Sequence, residues 1–169
     1  MPRRTGVYPN QVRLNPIGTV RTKASDDEVR NRTPGFESII EINPEYKEAL
    51  EGLEGFSHIF VIAYFHRLRP EQIGPLKVKP RGLLKHDFKL EELPLIGVFA
   101  LDSPTRPNPI GLSLVPLLRI EGTNLVVSDL DFFDGTPVLD IKPYQPSYRA
   151  DNYRLPQWHT KLSEKAGYV

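Results

Sequence analysis

Residues 57–68 read S-H-I-F-V-I-A-Y-F-H-R-L, the strongest strand signal in the chain. Ile59, Val61, Ala63 and Phe65 fall on one face of an extended segment, and Phe60, Ile62 and Tyr64 on the other. A strand with one wet face alternates apolar and polar residues, and this one is apolar on both. It is therefore either a central strand covered on both sides or one that lies in a dimer interface.

The same β pattern recurs on either side of it. Val12–Thr22 reads as a strand interrupted at Asn15-Pro16, 23–32 as a charged surface loop, and Glu37–Ile42 as a short β run. Asn43-Pro44-Glu45 supplies an N-cap residue, a proline at the first helical position and an early acid, so a short helix is predicted to about Leu50, stopped by Gly52. Leu95–Leu101 and Leu112–Ile120 read as further strands. Leu125–Phe133 and Val138–Tyr144 read as a hairpin joined through Asp134-Gly135-Thr136. Closely spaced strands with tight turns and few helices point to a mainly β barrel or sandwich.

The 169 residues suffice for one domain with a sizeable core, predicted as 1–169 with the core over about 12–144 and a short extension over 145–169. Lys plus Arg (22) nearly balance Asp plus Glu (21), so overall charge does not advertise a nucleic-acid partner, and no DNA is expected. Without cysteine there is neither a disulfide nor a thiolate metal site. The start, M-P-R-R-T-G-V-Y, lacks the apolar core of a signal peptide, and no apolar run approaches the ~18 residues of a membrane span. A cytoplasmic protein with no membrane partner is expected. Seventeen prolines, about twice the ~5% average, lie scattered between apolar runs, where they punctuate a fold.

Two charge asymmetries survive the balance. Arg67, Arg69, Lys77, Lys79, Arg81, Lys85 and Lys89 face only Glu71 and Asp87 over 67–89, whereas 121–141 holds five acids and no base. Solvated loops account for both runs as readily as a basic lip for phosphates beside an acidic pocket. The histidines at 58, 66, 86 and 159 have no metal-ligand spacing, so no metal is expected. His58 and His66 share a face of the strand but lie ~26 Å apart if it is fully extended. His66, at the strand's end beside Arg67, is the better functional candidate. Asp134-Gly135 is explained as a turn, whereas Ser128, Asp129 and Asp131 place polar groups within the preceding run and need partners or a ligand.

The least ordinary stretch is D-S-P-T-R-P-N-P-I-G-L-S, Asp102 to Ser113. Its prolines hold the backbone near extended geometry at low entropic cost. It is either a rigid crossover at a barrel end or a preformed wall that fixes Arg106 and Asn108 toward a ligand.

Gly97–Ser113 (G-V-F-A-x-x-S-P-x-R-P-N-P-I-G-L-S) resembles the signature of the TsaA-like, or TrmO, family of S-adenosylmethionine-dependent tRNA methyltransferases. P-I-G-T-V-R-T (16–22), P-G-F (34–36), L-E-G-F-S-H-I-F-V-I-A-Y-F-H (53–66) and D-G-T-P-V-L-D-I-K-P-Y (134–144) agree with it in order. The resemblance implies a mostly antiparallel β-barrel with one or two short helices, working as a homodimer with S-adenosyl-L-methionine near the subunit interface. The implied reaction methylates N6 of threonylcarbamoyl-adenosine 37, in the tRNA anticodon loop. Donor contacts carry over onto Pro34, Gly35, Phe36, His66, Arg67, Leu112, Ser128, Asp129, Leu130 and Asp131, with Arg106, Asn108 and Pro109 of the signature close to that pocket. Asp102 stands where relatives commonly carry a donor-pocket arginine, a charge reversal that Arg67 or Arg106 would have to offset. Arg67 stands where relatives often carry glutamine. The bacterial tRNA enzymes also continue into a sizeable C-terminal domain.

Methyl transfer is an in-line displacement in which alignment alone can supply ~7–11 kcal/mol, and a stiff proline-bounded wall suits that demand. His66 and Asp131 are the candidates for a base that takes the acceptor's proton. Arg69, Lys77, Lys79, Arg81 and Lys85 are the expected RNA contacts. Two other readings stay open: a methyltransferase with a small-molecule acceptor, and a donor-binding or RNA-binding module without catalysis.

Overall fold

The computed structural model describes residues 12–167. Its strands, in chain order, are β1 (Gly18–Thr22), β2 (Glu37–Ile42), β3 (His58–Tyr64), β4 (Lys77–Val78), β5 (Ile96–Gly97), β6 (Ile110–Glu121), β7 (Asn124–Ser128) and β8 (Pro137–Pro143). The α-helices are α1 (Asp26–Asn31) and α2 (Gln157–Ala166). Six strands close an antiparallel barrel in the order β1-β2-β7-β6-β3-β8, and β4 pairs with β5 in a separate ribbon. The barrel expectation holds.

The period-2 pattern of β3 decides the closure. Ile59, Val61 and Ala63 turn inward and are fully buried, as are Val20 of β1, Ile40 of β2, Val115 of β6, Leu125 and Val127 of β7, and Val138 of β8. A six-stranded barrel is narrow enough for side chains to fill it, so each inward strand position meets those opposite. Each buried Val, Leu or Ile among them contributes about 1.5–3 kcal/mol on burial. Truncating Ile59 to Ala would cost about 2–5 kcal/mol, because a closed ring of strands relaxes little into the space.

The other face of β3 is only partly covered by its own chain. Phe60 packs on Tyr144 and Tyr148, with ring centroids 5.9 and 4.9 Å away. Register pairs Phe60 with Leu114, Ile62 with Leu112 and Tyr64 with Ile110. These pairs form an outward apolar face on which Tyr64 is 39%, Leu112 66% and Leu114 46% exposed.

Several local expectations are corrected. The first strand is Gly18–Thr22 rather than Val12–Thr22, since it begins only past Pro16. The 23–32 segment is not all loop, because Ser25 and Glu28 form a reciprocal capping box that starts α1, and Val29 buries against the fold. The 44–50 helix is a 3-10 helix. Leu95–Leu101 pairs only at Ile96–Gly97 before turning into a 3-10 turn over Val98–Ala100. The expected 125–144 hairpin does not form. β7 pairs with β2 and β6, and β8 with β1 and β3. Asp129 adopts a positive φ of 58° and turns the chain out of the sheet, so 130–136 crosses the barrel end. The tight hairpin is β6–β7, at Gly122-Thr123. Among the described residues no helix is long and apolar enough to cross a membrane.

Candidate functional site

The site lies where four connections meet at one end of the barrel. Asp129 organises two of them: its carboxylate accepts from the Gly35 N–H at 2.7 Å, and its own N–H donates to the Phe36 carbonyl at 3.1 Å. This pair staples the approach to β2 to the exit of β7. The chain past Asp129 is anchored by buried Leu130 and Phe132, which leaves Asp131 between them facing a cavity. Gly111 of β6 permits the close packing there, because a Cβ on it would lie 2.6 Å from Phe65 and 2.8 Å from Phe132.

The cavity, about 520 Å³, is lined by His66, Arg67, Asp102 and Asp131, with Arg30, Arg32, Gln72 and the apolar walls Phe65, Phe132 and Phe133. This volume is of small-ligand size. Arg67 is a brace. Its Nη1 donates to Asp26 Oδ1 at 2.9 Å, its Nη2 donates to the Asp134 carbonyl at 2.9 Å, and its guanidinium lies 4.9 Å from the Phe133 ring centroid. It thereby ties α1 and the end of β3 to the 130–136 crossing. Arg30 also pairs with Asp26 and Asp27 and lies 5.3 Å over the same ring.

Asp131 Oδ2 pairs with Arg32 Nη2 at 2.8 Å, while Oδ1 is buried with no hydrogen-bond partner among the described residues. Such an oxygen costs free energy unless a ligand supplies a donor. Asp102 makes no ion pair among the described residues. With the arginines at the cavity each matched to a carboxylate, its unpaired formal charge is negative, which suits a cationic ligand. His66 has its pKa lowered, first by desolvation and then by the Arg67 charge, with Asp134 pulling weakly the other way. Its neutral imidazole is the favoured form near pH 7, so one ring nitrogen is free to accept a proton. Among the described residues no cluster of three or more His, Asp or Glu is arranged to hold a metal ion.

The other predicted residues stand differently. Pro34, Gly35, Phe36, Ser128 and Asp129 belong to the β2–β7 staple beside the cavity rather than to its lining. Leu130 is in the core. Arg106 turns back on its own loop, its Nη1 donating to the Leu101 and Ser103 carbonyls at 3.2 Å, so it clamps the proline ribbon and does not offset Asp102. Asn108 and Pro109 hold the ribbon to β6 and β3 through backbone bonds from Ile110 and Phe65. Leu112 points outward, away from the cavity of its own chain. Of the expected RNA contacts, Arg69 pairs with Glu71 and Lys79 donates to the Leu90 carbonyl, whereas Lys77, Arg81 and Lys85 have no ion-pair partner among the described residues. Sequence reasoning missed Arg30 and Arg32. The signal was Ser-x-x-Glu at 25–28, which announces the helix that carries them.

A family model described as the tRNA-methyltransferase O N-terminal domain matches residues 21–150. A probable S-adenosyl-L-methionine-binding protein of Pyrococcus abyssi is 38% identical over 154 residues, 88% of this chain and 77% of that protein. A tRNA (adenine(37)-N6)-methyltransferase of Mus musculus is 39% identical over 129 residues, 73% of this chain but 26% of that longer protein. A crystal structure of TrmO superposes with a TM-score of 0.66 at 33% identity, covering 88% of this chain and 64% of that one. By the extent of that match and the shared barrel, the chain belongs to the family of the tRNA-methyltransferase O N-terminal domain.

Proposed function

We propose that this chain is an S-adenosyl-L-methionine-dependent methyltransferase that acts as a cytoplasmic homodimer on N6 of threonylcarbamoyl-adenosine 37 in tRNA. One observation carries the reading: within a chain matched to the family over 21–150, His66-Arg67, Asp102 and Asp131 come from three separate stretches of sequence and line one cavity. The names of the relatives, S-adenosyl-L-methionine-binding proteins and tRNA (adenine(37)-N6)-methyltransferases, support the donor and the acceptor.

The donor fits what the cavity offers. Asp131 Oδ1, without a hydrogen-bond partner among the described residues, is an acceptor left over for a hydroxyl or ammonium, and Asp102 supplies the negative charge that a cationic ligand needs. Phe65, Phe132 and Phe133 give apolar walls for an adenine ring. When bound, S-adenosyl-L-methionine supplies an electrophilic methyl group on a sulfonium. Arg67 and Arg32 hold α1 and the 130–136 crossing as fixed walls, so the site is oriented before any ligand arrives. His66, kept neutral by its surroundings, accepts the acceptor's N6 proton, and Asp131 is the second group placed to do so.

The outward face of β3 and β6 supports the homodimer. It is a contiguous apolar surface of Ile62, Tyr64, Ile110, Leu112 and Leu114, the kind that marks an interaction site. In this reading Leu112 reaches a donor only across the interface, in the second copy's cavity.

The deciding experiment is incubation with isotopically labelled donor and tRNA bearing threonylcarbamoyl-adenosine, followed by nucleoside mass spectrometry. The N6-methylated nucleoside is expected. Its absence, with the donor still raising the melting temperature, would leave a donor-binding module.

A further inference from the structure

A second cavity, of about 570 Å³, lies between the C-terminal segment and the loop that carries the basic residues. Its walls are Tyr153, Leu155 and Trp158 on one side and Pro80, Leu83 and Leu101 on the other. Two contacts dock α2 here: Lys165 Nζ lies 3.4 Å from Glu92 Oε1 and 4.4 Å from the Phe88 ring centroid. Most of the lining lies beyond residue 150, where the family match ends, so the family resemblance does not account for this cavity.

Three features define its ligand. The first is aromatic surface: Tyr153 is 72% exposed and lines the cavity together with Trp158. The second is charge on the same segments: Arg81, Arg154 and Lys161, outside the lining but each adjacent in sequence to a lining residue, are exposed and have no ion-pair partner among the described residues. Glu164 and Thr160 add polar edges inside, and Ser163 Oγ lies 3.2 Å from His159 Nδ1. The third is position. Leu101 lines this cavity and Asp102 the first one, and Leu101 is extended (φ −139°, ψ 149°), so consecutive side chains divide the two spaces.

An aromatic-walled cavity on segments that also carry exposed cations suits an unstacked base with its flanking phosphates. We propose that this cavity is a base-stacking subsite that holds one nucleobase of a single-stranded RNA segment, next to the segment presented to the first cavity. The inference rests on the RNA acceptor of the proposed function. Tyr153 and Trp158 stack the base, Arg81, Arg154 and Lys161 meet the phosphates, and Glu164 accepts from an exocyclic amino group.

Trp158 is the chain's one tryptophan, so its fluorescence reports on this cavity directly. The full chain is titrated with an unmodified anticodon stem–loop RNA while Trp158 emission and RNA anisotropy are followed. Saturable quenching in step with anisotropy is expected. Tyr153→Ala should weaken RNA binding about tenfold, Tyr153→Phe should retain it, and both should keep the wild-type thermal shift with S-adenosyl-L-methionine. RNA binding that leaves Trp158 emission unchanged and is indifferent to Tyr153→Ala would overturn the subsite, even where methyl transfer proceeds. Quenching with no methyl transfer would leave the subsite standing and remove the proposed reaction. Emission that changes with protein concentration alone would show a second copy of the chain filling the cavity, and the inference would fall.

Discussion

Asp131 and His66 present the site's chemistry in opposite protonation terms, one a carboxylate with a spare buried oxygen, the other an imidazole held neutral. The orphan Oδ1 of Asp131 is a cost to the free protein that a ligand donor removes. Asp131→Asn keeps the shape and discards the charge; it also weakens the ion pair to the largely exposed Arg32, so the melting temperature without ligand should change little. Donor affinity should fall about 10–100-fold, the range of one charge-assisted hydrogen bond. Isothermal titration with S-adenosyl-L-methionine reads this, and an unchanged affinity would take Asp131 out of the donor site. For His66 the sign follows from desolvation and Arg67, both of which disfavour the protonated ring in the folded chain. The unfolded chain binds that proton more readily, so this group lowers stability as pH falls through ~6.5, and the loss levels off once the folded form is protonated too. A base of this kind keeps its accepting form below the usual histidine range. The acid limb of the methyl-transfer rate should therefore centre below about 6.5, and His66→Gln should abolish it. A limb at or above 6.5, or one that survives the substitution, would assign the proton to another group.

Among the elements, the irregular 67–101 excursion from the barrel carries the charge proposed to meet RNA. Its cations divide by what they touch: Lys79 is spent on the Leu90 carbonyl and Arg69 on Glu71, whereas Lys77, Arg81 and Lys85 have no ion-pair partner among the described residues. Replacing those three with alanine should leave the melting temperature unchanged and weaken tRNA binding. The slope of log affinity against log salt should drop by about 1 per cation removed. A slope equal to wild type would mean that the phosphates lie elsewhere. The same excursion marks the limit of what the sequence disclosed. β2 and β3 were legible because their inward residues alternate without interruption, and the barrel followed from them. Leu95–Leu101 was just as apolar, yet it folded into two ladder pairs and a 3-10 turn, because no barrel edge was left for it. The 125–144 hairpin failed for a subtler reason: Asp134-Gly135 does turn, but Asp129 had already left the sheet in a left-handed conformation that aspartate tolerates and composition does not announce. Four predicted donor contacts, His66, Arg67, Asp102 and Asp131, do converge. Arg106 and Asp129 were legible as special positions but not as clamps, because a side chain's hydrogen bond to a distant or local backbone group leaves no trace in spacing.

At the scale of the whole molecule, β3, apolar on both sides, has one face buried inside the barrel and the other, with β6, only partly covered. Water-facing strands in a closed barrel carry polar residues outward. Here the register puts Ile62 against Leu112 and Phe60 against Leu114 on the outside, with Tyr64 and Ile110 at the end. The proposed C2 homodimer would bury this face against its own copy, and about 800 Å² per partner is the usual extent of a stable interface. It would also account for Leu112, which one chain turns away from its own cavity. Leu112→Glu combined with Leu114→Glu places like charges opposite each other across the symmetry axis while leaving the core ring of Ile59, Val61 and Val115 untouched. The variant should keep its far-ultraviolet circular dichroism and sediment as a monomer where the parent sediments as a dimer. Its thermal shift with S-adenosyl-L-methionine should shrink, because each donor site would lack the residue lent by the second copy. A parent chain that is monomeric at tens of micromolar, or a monomeric variant with an undiminished donor shift, would place the whole site within one barrel.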